Sequence, residues 1–205
     1  MTAAAATLRL PSRFTARGVR RVAWITLMLG LAALAAGLYI PAKAVLAQVL
    51  LERAWDKTLQ GKTDVKPWPW ADIVPVAEIA LPRLHEHAIV LGGTSGQAMA
   101  FGPGHMSNSA PIGASGTAVI AGHRDTHLAF LRHAKPGDLV EATTADGRTA
   151  RYRVSAMHVV RWDASGLDPT DGGTAGTRLA LVTCYPFGAV AHGPLRYVVI
   201  ADKVP

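Results

Sequence analysis

The stretch Val22 to Ile40, VAWITLMLGLAALAAGLYI, runs for 19 residues without a charge. A helix rising about 1.5 Å per residue over that length just crosses a hydrocarbon core roughly 30 Å thick. A helix apolar on every side must be covered by protein or by lipid, so the chain divides into this segment and a separately folded remainder. Ahead of it stand Arg9, Arg13, Arg17, Arg20 and Arg21 with no acidic residue. Under the positive-inside rule the N-terminus stays cytoplasmic and the rest is exported. Trp24 and Tyr39 sit near the two ends, where interfacial aromatics belong. A cleavable signal peptide is the rival, with small residues at Ala42, Ala44 and Ala47. Signal h-regions, however, run only about 7 to 15 residues, and an uncleaved anchor is expected. This predicts a single-pass protein of the inner (cytoplasmic) membrane, touching lipid through the N-terminal helix, with its bulk periplasmic.

The net charge of +7 resembles a nucleic-acid signature until it is divided by position. Residues 1–60 hold 8 of the 21 Lys and Arg but only 2 of the 14 Asp and Glu. The remainder is nearly balanced, so no polybasic groove and no nucleic-acid partner are expected. With 50% hydrophobic and 17% charged residues, intrinsic disorder is excluded. A chain of 205 residues has room for one ordinary domain besides the anchor.

Beyond the anchor, Val45, Leu46, Val49, Leu50 and Trp55 keep a helical period, with Glu52, Arg53, Asp56 and Lys57 on a polar side. Two alternating prolines in GKTDVKPWPW, residues 61–70, forbid a helix there and mark a stiff extended linker. The expected organisation is a basic cytoplasmic N-terminus (1–21), an anchor (22–40), a juxtamembrane helix with a Pro/Trp linker (41–70), and one exported domain (71–205). Residues 62–205 alone should fold as a soluble domain.

From residue 72 onward short Val- and Ile-rich runs alternate with Gly, Pro, Asp and Ser clusters, which is strand punctuation. The candidate strands are Val74–Leu84, Ala88–Leu91, Thr117–Gly122, Leu139–Thr144, Thr149–Trp162, Thr177–Cys184 and Leu195–Val204. Only His127–Ala134 reads as helical. An all-β domain with few helices follows, either a closed barrel, which removes exposed sheet edges, or a sandwich.

The single cysteine, Cys184, falls on the exported side, where disulfides form, and has no partner in the chain. It is an intermolecular disulfide, a buried inert thiol or a nucleophile. It ends an apolar strand and is followed by Tyr185 and Pro186, so it sits at a strand's mouth. If the strand beginning at Leu195 pairs antiparallel with it, Cys184 and Arg196 are neighbours. The strand Thr117–Gly122 runs into His123, which brings a thiol, an imidazole and a guanidinium to strand ends.

Ala121-Gly-His123-Arg, Leu181-Val-Thr-Cys184 with Pro186, and Leu195-Arg196-Tyr-Val resemble the signature blocks of sortases, the membrane-anchored cysteine transpeptidases, and most resemble those of Gram-negative bacteria (class GN). The resemblance covers roughly residues 72–203 and includes the order His, Cys, Arg. One departure is Ala180, where the family pattern has Thr. The resemblance implies a closed β-barrel of about seven to eight strands with short helices. It also implies catalysis by Cys184, His123 and Arg196, with no cofactor and no metal. The implied substrate is an exported protein whose C-terminal sorting signal, of the Leu-Pro-x-Thr-Gly kind, is cleaved through a Cys184 thioester and transferred to an amine acceptor. A peptidase that hydrolyses the thioester, and a tethered non-catalytic binding barrel, are the competing readings.

The chemistry asks for these residue types. A free thiol with a pKa near 8.5 is only a few per cent thiolate at pH 7, yet the thiolate attacks. His123 can hold or accept its proton and later protonate a departing amine. Arg196 cannot deprotonate, but its planar fork suits an oxyanion or a substrate backbone. The i, i+4 pair His123 and His127 has metal-like spacing without a third ligand. His85 and His87 read as solvated, His192 as the rival to His123, and Asp125 as a turn residue or an imidazole orienter. Trp68 and Trp70 read as linker packing against the barrel or lipid headgroups.

Overall fold

The computed structural model describes residues 16–167, 176–191 and 193–205. These divide into two compact units, Met1–Val45 and Leu46–Pro205. Helix α1 (Ala16–Leu59) contributes to both and carries Pro41 within it. In the first unit the helix is long and apolar enough to cross a membrane, and Trp24, Leu29, Leu34 and Tyr39 are exposed.

The second unit is an eight-stranded closed barrel, ordered β1-β2-β3-β4-β7-β8-β6-β5. Its strands are β1 (Pro75–Leu81), β2 (Glu86–Gly92), β3 (Gly104–His105), β4 (Gly116–Ala121), β5 (Leu139–Thr144), β6 (Thr149–Arg161), β7 (Thr177–Cys184) and β8 (Leu195–Val204). The all-β barrel reading therefore holds and the sandwich does not. Most pairs are antiparallel, but β4 lies parallel to β7 and β2 parallel to β3. Pairing of β1 with β5 closes the cylinder.

Period-2 patterning builds the wall. Strand β1 alternates buried and half-buried along PVAEIAL. Its inward residues Ile79 and Leu81 meet Val90, Ile120, Val140, Val154, Leu179, Leu181 and Val199 in one core. Each such side chain contributes roughly 1.5–3 kcal/mol on leaving water. Tyr152, fully buried, fills the same core and accepts a hydrogen bond from the Gly113 N–H at 2.8 Å, which satisfies its hydroxyl.

Several boundaries differ from the sequence reading. The first strand stops at Leu81, because Pro82 opens a 3₁₀ turn, Pro82–Leu84, closed by His85 in the left-handed region at φ 54°. The second begins at Glu86, paired with Leu81, two residues earlier than expected. A short helix α2 (Gly96–Phe101), capped by the Ser95 hydroxyl accepting from the Ala98 N–H, was not expected. Nor was β3. The last turns of α1 are more than a juxtamembrane stalk: Leu51 and Trp55 form a second core with Ala71, Ile73, Ile89, Leu91 and Ala98. Residues 61–70 make turns and bends, and Trp68 meets Phe101 edge-on at 5.0 Å, while Trp70 stays exposed.

Candidate active site

Strand β7 delivers Cys184 at its C-terminal end, opposite Arg196 in the antiparallel ladder with β8. On its other side β7 runs parallel to β4, with Ala121 level with Val182. That ladder continues past the end of β4: the Gly122 N–H donates to Val182 O at 3.1 Å, and the Thr183 hydroxyl donates to Gly122 O at 2.8 Å. Cys184 and Arg196 are thus paired across β7 and β8, and His123 lies just past the end of β4 on the other side of β7.

They also share a face. Leu179 and Leu181 point into the barrel core, so the alternate residues Ala180, Val182 and Cys184 belong to the outer wall. Likewise Val199 and Ala201 are inward, leaving Arg196 and Val198 outward. Cys184 and Arg196 are half-buried and His123 is exposed. Ala180, where the family pattern has Thr, is fully buried on this outer layer.

The turn after His123 depends on a close approach at Gly122. A Cβ there would stand 3.0 Å from the Leu128 side chain and 3.1 Å from Pro103, so any larger residue would have to push Leu128 or Pro103 aside by a few tenths of an ångström. At the head of β8, Arg196 Nη1 donates to the carbonyls of Gly193 at 2.9 Å and Leu195 at 2.8 Å, which ties the guanidinium to the start of that strand. Tyr185, Phe187 and Tyr197 form an aromatic cluster, Tyr185 stacking on Tyr197 at 6.2 Å. Burial raises the Tyr197 pKa, and nearby Tyr185 adds to the shift.

Other singled-out residues fall elsewhere. Desolvation lowers the pKa of half-buried His127; a hydrogen bond to Ala100 O opposes this and the charge of His123 reinforces it. His127 borders a cleft of about 260 Å³ with Gln48, Glu52, Glu86 and His87, which does not include Cys184. Among the described residues no group of three His, Cys, Asp or Glu is placed to hold a metal. Asp125 is exposed and accepts from Arg124 Nε at 3.2 Å, which makes it a partner of that arginine. His192 lies outside the described residues. Sequence reasoning passed over Arg124 itself: it is 6% exposed, and its Nη2 donates to the carbonyls of Ala189 and, at 3.2 Å, Ala191. The only signal was its place directly after His123.

The chain and its fold find counterparts among known proteins. A model of the sortase domain matches residues 79–204. The chain is 25% identical over 126 residues to sortase D of Bacillus subtilis (strain 168), and the match spans 62% of this chain and 62% of that protein. It therefore covers less than two thirds of that relative's length. Sortase A from Corynebacterium diphtheriae is similar in structure with a TM-score of 0.59 and 27% identity, over 72% of this chain and 68% of that one. Sortase A of Listeria monocytogenes, 21% identical with a TM-score of 0.55 over 64% and 88% of the two chains, shares the fold. None of these relatives supports placement in the Gram-negative class. Because the family model runs from within β1 to the end of β8 and so takes in every later strand of the barrel, the chain belongs to the sortase family.

Proposed function

We propose that this protein is a membrane-anchored cysteine transpeptidase in which Cys184 is the nucleophile, His123 the acid and base, and Arg196 the oxyanion or substrate-backbone donor. The observation that supports it most is the pairing of Cys184 with Arg196 in the β7–β8 ladder, with His123 directly beyond the end of β4, which runs parallel to β7 on its other side. The thiolate attacks the scissile carbonyl of a sorting signal of the Leu-Pro-x-Thr-Gly kind. The carbonyl oxygen becomes an oxyanion facing the Arg196 fork. As the intermediate collapses, the C–N bond breaks and imidazolium His123 gives its proton to the departing amine, leaving a Cys184 thioester. An acceptor amine then gives a proton to neutral His123 and attacks the thioester, and the thiolate leaves as the new amide forms.

The substrate is an exported protein carrying such a signal, and no cofactor takes part. The Val22–Ile40 segment anchors the chain in the inner membrane with residues 1–21 cytoplasmic, residues 41–70 as connection, and the catalytic domain from residue 71 periplasmic. The finer placement in the Gram-negative class rests on the sequence motifs alone. The test is product analysis after incubating the full chain in detergent with a Leu-Pro-x-Thr-Gly peptide, with and without an added amine. A ligated product that grows with amine at the expense of the free acid is expected. Free acid alone at every amine concentration would make the protein a hydrolase, and no cleavage of any sorting-type peptide would remove the enzymatic reading.

A further inference from the structure

Arg124 follows His123 directly but faces the other way, buried where His123 is exposed. Its guanidinium reaches across 65 and 67 residues of chain to the carbonyls of Ala189 and Ala191. Those two residues lie midway along the β7–β8 connection, which leaves Cys184 and returns to Leu195 and Arg196. A second contact to the same loop comes from the 3₁₀ turn Ala129–His133, with the Arg132 guanidinium over the Phe187 ring at 5.3 Å. The buried Nη1 of Arg124 has no partner among the described residues. Burying a cation with one nitrogen unpaired is costly, so packing alone would favour an apolar residue here.

Resting on the transpeptidase reading, we infer that Arg124 is a positioning residue: its Nη2 ties the β7–β8 loop to the turn that follows His123 and so fixes the imidazole, the thiol and Arg196 relative to one another. It touches no reacting atom. Its work is to keep the His123 proton donor and the Arg196 fork in register with a thioester forming between them, where misplacement by about 1 Å costs roughly 10²-fold in rate.

The test uses the full chain in detergent and a Leu-Pro-x-Thr-Gly peptide, well below each variant's melting temperature. Arg124→Lys keeps a cation but loses the planar guanidinium that donates from Nε to Asp125 while Nη2 reaches the two loop carbonyls. Its kcat for acyl-enzyme formation should fall by roughly 10²-fold while KM stays within about threefold, the mark of an interaction lost in the transition state. A purely structural anchor would lower the melting temperature and leave kcat of the folded enzyme within about threefold of wild type, and that result overturns the inference. The paired change Ala189→Gly with Ala191→Gly loosens the other end of the tie without touching the guanidinium, and should lower kcat several-fold. Combined with Arg124→Lys it should add little further loss, because the loop is already released; independent, multiplicative effects would contradict the tie. Should Arg124→Lys fail to fold, the glycine pair decides alone, and an unchanged kcat overturns the inference. Absence of any wild-type thioester overturns the transpeptidase reading together with this one, whereas a wild-type thioester with undiminished variants overturns only the positioning role.

Discussion

Arg196 is held by main-chain carbonyls that a shorter or narrower cation would not reach in the same geometry. Arg196→Lys should therefore lower kcat/KM for a sorting-type peptide by roughly 10²-fold, the scale of losing one oxyanion donor. The rate at which iodoacetamide alkylates Cys184 should change much less, since that reaction needs only the thiolate. A lysine variant with wild-type turnover would eliminate the role of the planar fork. Cys184→Ala should abolish the thioester yet cost less than about 1 kcal/mol in chemical denaturation, because the thiol is half-buried on the outer wall. A loss of about 2–5 kcal/mol would instead mark a core cysteine. Asp138 is a purely structural contrast: buried, it accepts from Arg83 Nε at 2.5 Å, Arg83 Nη2 at 2.7 Å and the Lys135 N–H at 2.8 Å. These bonds, Arg83 first, hold its carboxyl below the ordinary carboxylate range. Its contribution is therefore full above the unfolded value near 3.9 and lost as pH falls through the lower folded value. Asp138→Asn should cost about 1–3 kcal/mol at neutral pH and progressively less in acid, as read from urea midpoints across pH. Cys184 and Arg196 were legible because each sits where an apolar strand stops or starts. Arg124 was not, because its burial comes from loop carbonyls more than sixty residues away.

At the scale of elements, the long alternating strands were legible and the short pieces were not. Strand β3 has two residues and α2 has six, too few for either period to declare itself. The expected strand Val74–Leu84 overran because its apolar pattern continues through the proline that ends it. The most consequential difference lies in α1. Its period over residues 45–57 was readable, but not that Leu51 and Trp55 would be buried against Ile73, Ile89 and Leu91. Burying those two side chains is worth about 1.5–3 kcal/mol each, against a domain stability of roughly 5–15 kcal/mol. A fragment of residues 46–205 should therefore fold, and one of 62–205 should melt roughly 10 °C lower or aggregate through the uncovered patch. Equal melting temperatures in a side-by-side thermal scan would show that this second core contributes nothing.

Over the whole molecule, the sequence divides cleanly by charge and hydropathy, but its closure does not show in any local pattern. Barrel and sandwich give the same short strands; what separates them is β1 meeting β5 and β4 meeting β7, pairings between segments about sixty residues apart. Those same pairings underlie the candidate site, since β4 runs beside β7 and leads into His123, while β8 pairs Arg196 with Cys184. Because the chain holds one cysteine, the central chemical claim can be read from a single mass. The full chain in detergent is incubated with a Leu-Pro-x-Thr-Gly peptide, quenched in acid and measured as intact protein. The expected spectrum shows one adduct equal to the acyl fragment, located on Cys184, absent in Cys184→Ala and discharged by an added amine. A wild-type spectrum without adduct under conditions where the peptide is cleaved, or an adduct that survives in Cys184→Ala, would contradict thioester catalysis by this protein.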